Sequence, residues 1–164
     1  MSGEGDPLAS RVGELLLARG ERVAVLETTA GGHVSASLVR VPGASGWFER
    51  GAVAYSRAAK VEMTGVDPAL PDEAGAVSRD VAIALAEGFR AASGATFCVA
   101  ETGIAGPQTG RRSRKRAGSV FIAVAGPSGT VSRYHELDGS RSEIMAQIAD
   151  RCVEFLLEAI EATA

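Results

Sequence analysis

Two short stretches of the sequence set hydroxyl side chains beside paired glycines: Glu27-Thr28-Thr29-Ala30-Gly31-Gly32 and Glu101-Thr102-Gly103-Ile104-Ala105-Gly106-Pro107. A hydroxyl can attack an acyl carbon. Glycine lets a ligand approach the backbone, and free N–H groups at a following helix start can hold a phosphate or a developing oxyanion. A plainer use of the same residues is Thr28 or Thr29 as a helix cap and the glycines as chain turns, and both uses fit the spacing. Tyr55 and Lys60 put a phenol and an amine five residues apart. The amine is a base only where desolvation or a second cation lowers its pKa; otherwise it is a solvated helix lysine. Arg141 offers a fork of donors for a phosphate or carboxylate, or is simply exposed at a helix start. The sequence has neither GxGxxG nor Walker A, His33 and His135 lack a Ser/Asp partner pattern, and no His, Asp, Glu or Cys cluster has metal spacing. No metal and no cofactor are expected.

The elements that must position these groups follow from caps and periodicity. Asp6 before Pro7 caps a helix that runs to Gly20, with Leu8, Val12, Leu15 and Leu16 at helical spacing. Arg22 to Glu27 is a β-branched apolar run that ends in the first glycine turn, and His33 to Arg40 forms a helix stopped by Pro42. Glu49 to Ser56 reads as a second strand, Ser56 caps a short helix through Met63, and a loop spans Pro68 and Pro71. Ser78 caps an alanine-rich helix to about Ser93, followed by a buried strand from Ala95 to Glu101 and the second glycine turn. Gly118 to Ala125 and Thr130 to Leu137 flank Gly-Pro-Ser-Gly as a hairpin, and Ser140 with Glu143 forms a capping box for a last amphipathic helix. This order predicts a three-layer α/β/α sandwich around a mixed, mostly parallel five-stranded sheet. In such sheets ligands bind at the carboxyl ends of strands, where both hydroxyl-glycine turns fall.

The segments ETTAGG, GWFERGAVAYSRAAK, GAVS, TGIAGP, GSV and GSRSEI, in this order, resemble the CinA C-terminal domain family, whose characterised members are nicotinamide-nucleotide amidases. The resemblance runs from about Leu8 to Leu157 and implies one such domain over residues 1–164. It implies the α/β/α fold and hydrolysis of the carboxamide of nicotinamide mononucleotide to the nicotinic acid form and ammonia. It places Thr28 at the nucleophile, where the family pattern ESCTGG has serine. By the same resemblance Lys60 and Tyr55 take the hydroxyl proton and return it to ammonia. Ser45, Thr102, Gly103 and the backbone at Gly31 and Gly32 position the amide and stabilise its oxyanion, and Arg141 contacts the phosphate or nucleotide. Three departures stand out: Thr28, Thr29 and Ala30 replace Ser, Cys and Thr, the loop after TGIAGP is basic, and Met145 stands where a second arginine is common. The alternative these departures raise is a homologue that binds a nucleotide or a protein without hydrolysing it. The resemblance also implies self-association into a homo-oligomer. Family members often carry a further N-terminal domain; only six residues precede the first helix here, so that domain's activities are expected to be absent.

Composition fits this picture. Apolar residues make up 46% and charged residues 23% of 164, which excludes disordered and fibrous classes. No apolar run reaches membrane-spanning length and the N-terminus lacks a secretory layout, so a cytoplasmic protein without membrane partners is expected. Cys98 and Cys152 sit in apolar stretches as small buried hydrophobes. The net charge of −3 hides the basic run Arg111 to Arg116, so the body is acidic and nucleic acid is not expected as a partner. That run reads as a solvated loop, or as an electrostatic lid over an anionic substrate or a local nucleic-acid contact. With 20 glycines, 29 alanines and only eight aromatic residues, the core is expected to rest on close backbone packing.

Overall fold

Side-chain alternation divides each central strand between two cores. On β1 (Val23–Glu27) Val23 and Val25 face one core while Ala24 and Leu26 face the other; β3 (Phe97–Gly103) and β4 (Ser119–Gly126) divide in the same way. The first core is closed by α1 (Pro7–Arg19), α2 (His33–Val39) and α6 (Arg141–Ala162), with Leu16, Trp47, Ile148, Leu156 and Ile160 inside it. The second is closed by α3 (Arg57–Thr64) and α5 (Arg79–Ser93), with Ala82, Leu85, Ala86 and Phe89 inside. The computed structural model describes residues 5–108 and 114–163, so Arg111 and Arg112 of the basic run lie outside the described residues.

With β2 (Phe48–Val53) and β5 (Gly129–Glu136) the sheet has the order β2-β1-β3-β4-β5. β1 pairs parallel to β2 and β3; β3–β4 and β4–β5 are antiparallel, so β4 alone runs against the other four. This is the α/β/α sandwich with a mixed sheet that the sequence predicts. The caps form as read: Asp6 accepts from the Leu8 N–H, Ser56 from Ala59, Ser78 from Val81, and Ser140 and Glu143 cap each other. The hairpin closes between Gly126 and Gly129.

Three elements differ from expectation. A short helix α4 (Leu70–Ala74) occupies the expected Pro68–Pro71 loop, because Pro71 falls in the first turn, where its missing N–H costs nothing. A 3-10 turn, Ala44–Gly46, precedes β2. β2 also ends at Val53 rather than Ser56, since Ser56 is already the cap of α3.

Alanine richness is one-sided. Eight alanines, Ala24, Ala54, Ala82, Ala86, Ala95, Ala100, Ala123 and Ala125, build most of the α5-side core, whereas the opposite core carries the large residues. Close backbone approach is also specific on that larger side: a Cβ on Gly13 of α1 would lie 2.8 Å from the indole of Trp47, which is 2% exposed. Gly13→Val should therefore cost about 2–3 kcal/mol by overpacking. Urea unfolding measures this, and an unchanged midpoint would contradict the contact. Both cysteines are buried and free, and burial pushes their thiols up, Cys98 to about 12. Among the described residues no helix is long and apolar enough to cross a membrane.

Candidate active site

β1 and β3 lie side by side and parallel, so the turns that follow them emerge at the same end of the sheet. Each strand brings a buried glutamate there, and both side chains are 1% exposed. Glu27 Oε1 accepts from the N–H groups of Gly32 (3.1 Å) and Val34 (2.8 Å), and its Oε2 accepts from Ser35 N–H (3.1 Å) and Ser35 Oγ (2.7 Å). It thereby satisfies the donors at the start of α2 that helix geometry leaves unpaired. Glu101 reaches under the preceding residues: its Oε1 accepts from Thr28 N–H at 2.7 Å and Ala30 N–H at 2.8 Å. Burial raises the Glu101 carboxyl to about 6 and the nearby Glu27 charge adds to this, against the lowering effect of the Ala30, Thr28 and Thr29 N–H groups.

The Thr28 hydroxyl donates to the Glu101 carbonyl oxygen at 3.0 Å and lies 3.2 Å from Thr29 Oγ1 and 3.5 Å from Glu101 Oε2. Thr29 Oγ1 in turn donates to the Gly103 carbonyl at 2.9 Å, tying the first turn to the second. Above them opens a cleft of about 620 Å³, within the usual range for small-molecule sites, lined by Thr28, Thr29, Lys60, Thr102, Gly103 and the turn through Pro107. The start of α3 carries Lys60 into this cleft. Burial lowers its pKa, the Glu101 charge opposes that, and Arg57 adds to the lowering. Among the described residues the Lys60 ammonium makes no ion pair within 4.0 Å. At the rim Arg141 donates through Nη1 to the Gly106 carbonyl (2.7 Å) and through Nη2 to the Tyr55 hydroxyl (3.3 Å).

A family model described as the CinA C-terminal domain matches residues 5–160. The chain belongs to that family. It is 39% identical over 151 residues to a protein named nicotinamide-nucleotide amidohydrolase PncC from Pseudomonas putida, covering 92% of this chain and 94% of that one. It is 47% identical over 155 residues to a CinA-like protein from Anaeromyxobacter dehalogenans, covering 94% of this chain but only 38% of that longer relative. Among solved structures, a CinA superfamily protein from Klebsiella pneumoniae superposes with a TM-score of 0.88 at 26% identity, covering 94% of this chain and 96% of that one. The competence/damage inducible protein CihA from Agrobacterium tumefaciens superposes at 0.84 with 30% identity, covering 98% and 99%.

Of the site residues expected from CinA resemblance, six line one cleft: Thr28, Tyr55, Lys60, Thr102, Gly103 and Arg141. Three lie elsewhere. Gly31 and Gly32, at φ of 63° and 104°, shape the turn behind the cleft, and a Cβ on Gly31 would sit 3.1 Å from Met145, the residue that stands in the second-arginine position. Ser45 is exposed in the 3-10 turn before β2, where its carbonyl accepts from Arg22 at 3.4 Å. This is the amino end of the sheet, opposite Thr28, since Val23 at the start of β1 is in register with Phe48. Of the groups expected to position the amide and its oxyanion, the Gly32 N–H is engaged by Glu27 and the Thr102 hydroxyl by the Ala76 carbonyl at 2.8 Å, and in the same first turn Glu101 takes the Thr28 and Ala30 N–H groups.

Glu27 and Glu101 themselves were missed as site residues. The available signal was a carboxylate at the last apolar position of each strand. Among the described residues no three His, Cys, Asp or Glu side chains gather as metal ligands. The raised Glu101 carboxyl makes a stability prediction with a definite sign. Its folded value of about 6 lies above the ordinary 4.5, so its contribution is fully present below 4.5 and is lost as pH rises through 6. The native protein should lose roughly 2 kcal/mol relative to Glu101→Gln across that window. Urea unfolding at pH 4 and pH 7.5 reads the difference, and a constant gap between the two proteins would contradict it.

Proposed function

We propose that this chain is an amidase that hydrolyses the carboxamide of nicotinamide mononucleotide to nicotinic acid mononucleotide and ammonia. The observation that carries this reading is the convergence of Thr28, Lys60, Thr102, Tyr55 and Arg141 on one cleft. The near full-length match to a relative named for that reaction supports it. Neutral Lys60 accepts the proton of the Thr28 hydroxyl as Oγ1 attacks the carboxamide carbon. The tetrahedral intermediate collapses, ammonia departs with the proton from Lys60, and an ester on Thr28 remains. Water then hydrolyses the ester, with Lys60 taking and returning a proton again.

Since the Thr28, Ala30 and Gly32 N–H groups of the first turn are occupied and Gly31 does not line the cleft, the oxyanion is assigned to the second turn. Ala105 and Gly106 line the cleft there, and none of the hydrogen bonds above engages their N–H groups. Tyr55 and Arg141 are assigned to the nucleotide, which their mutual bond at the rim supports. Arg141→Ala should raise KM for nicotinamide mononucleotide about tenfold or more while leaving kcat within about threefold, as expected for loss of a charged contact. An unchanged KM would remove Arg141 from the binding assignment.

A second reading, binding without hydrolysis, is favoured by one observation: Thr28 is only 4% exposed and its hydroxyl is already donated to a strand carbonyl. Ammonia release by the purified protein, with nicotinic acid mononucleotide identified as product, decides between the two. Thermal stabilisation by the nucleotide without any product would favour the binding module.

A further inference from the structure

We propose that Glu101 is the positioning residue of the Thr28–Lys60 pair: it holds the turn that presents the Thr28 hydroxyl and sets a buried carboxylate under the cleft that Thr28 and Lys60 share. The inference rests on the amidase reading above.

The geometry is unusual for a carboxylate on a buried central strand. Its neighbours on β3, Val99 and Ala100, are each 1% exposed, and its register partner on β4 is Ile122. A buried carboxylate is costly unless it is well bonded, and Glu101 is bonded only to the nucleophile's own turn. One oxygen, Oε1, receives both the Thr28 and Ala30 N–H groups, while Oε2 faces Thr28 Oγ1 at 3.5 Å and the Glu101 carbonyl receives that hydroxyl at 3.0 Å. An apolar side chain here would leave two buried N–H groups without an acceptor, and the turn carrying Thr28 would lose its clamp.

The charge acts on a second partner. The titratable groups that couple to the Glu101 charge are Glu27 from β1, Lys60 from α3 and the Cys152 thiol from α6, and Arg57 acts on Lys60 in turn. Of these groups Lys60 is the one whose proton the reaction moves. An ionised Glu101 stabilises the Lys60 ammonium, so a smaller fraction of Lys60 is neutral at a given pH. Glu101 thus holds the nucleophile in place while moving the working range of the base to higher pH.

Glu101→Gln separates the two effects. Its amide oxygen can accept the same two N–H groups, while the charge is gone. The expected result is a protein that melts no lower than the native one, with the acid limb of its kcat/KM profile moved to lower pH. Glu101→Ala should instead lower kcat about tenfold or more, with KM within about threefold, because the hydroxyl is misplaced. A purely structural role would change the melting temperature of Glu101→Ala but leave the acid limb of Glu101→Gln where it was, and that unmoved limb would overturn the proposal. If Glu101→Ala does not fold, the Glu101→Gln profile still decides. If the native protein releases no ammonia, the amidase reading has failed separately. The pH midpoint for acylation of Lys60 by an amine-reactive ester, read by peptide mass spectrometry, then tests the coupling. A lower midpoint in Glu101→Gln upholds it; equal midpoints overturn it.

Discussion

Lys60→Met is expected to lower ammonia release from nicotinamide mononucleotide by about a thousandfold, the scale of a lost general base, without lowering the melting temperature. Methionine keeps the length and the apolar stem but cannot accept a proton. Lysine suits the role here because burial lowers its pKa, and Arg57 adds to that effect although its own charge is offset by Asp72 at 2.8 Å and 3.0 Å. Lys60→Arg discriminates further. Arginine retains the cation but stays protonated, so a base role predicts an equally inactive protein, whereas a role in holding phosphate predicts near-native rates. The sign of the pH dependence follows: kcat/KM should rise with pH as Lys60 deprotonates and level off below the ordinary lysine range. Steady-state kinetics of the three proteins over a pH series supplies the comparison, and substantial turnover by Lys60→Met would exclude the lysine base.

The second large effect is on stability. Glu27→Ala should cost about 3–5 kcal/mol, because three N–H groups and the Ser35 hydroxyl lose a charged, buried acceptor together. Against a typical domain stability of about 5–15 kcal/mol, that is enough to populate unfolded protein at moderate temperature. Glu27→Gln should be intermediate, since an amide nitrogen in place of Oε2 would point a donor at the Ser35 N–H. Urea midpoints order the series as native, then Gln, then Ala. Glu27→Ala within about 1 kcal/mol of native would mean that water replaces the carboxylate at the start of α2.

Local signals made most of the fold legible. Asp6, Ser56, Ser78 and the Ser140–Glu143 box mark helix starts because short polar side chains bond the unpaired N–H groups, and that chemistry is written within a few residues. The α4 helix escaped because Pro68 and Pro71 read as breakers, although proline is compatible with a first helical turn. In the site, Thr28, Lys60, Thr102 and Arg141 come together as the carboxyl-end rule for strands requires. The same rule, applied to Ser45, places it at the far end of the sheet, because the residues before a parallel strand lie at its amino end. What the sequence could not display was which donors are already used. Thr28 and Ala30 N–H are engaged by a residue 73 and 71 positions away, a pairing that exists only once β1 and β3 lie side by side.

That pairing also leaves the central claim exposed to one measurement. Ammonia release from nicotinamide mononucleotide should be compared for the native protein, Thr28→Ser and Thr28→Ala at matched melting temperature. Threonine adds a methyl group and a stiff χ1 to the attacking side chain, so serine is expected to equal or exceed the native rate. Alanine should fall to background, with no ester formed at position 28. Native-level release by Thr28→Ala would contradict Thr28 as the nucleophile and, with it, the assignment of the cleft around it.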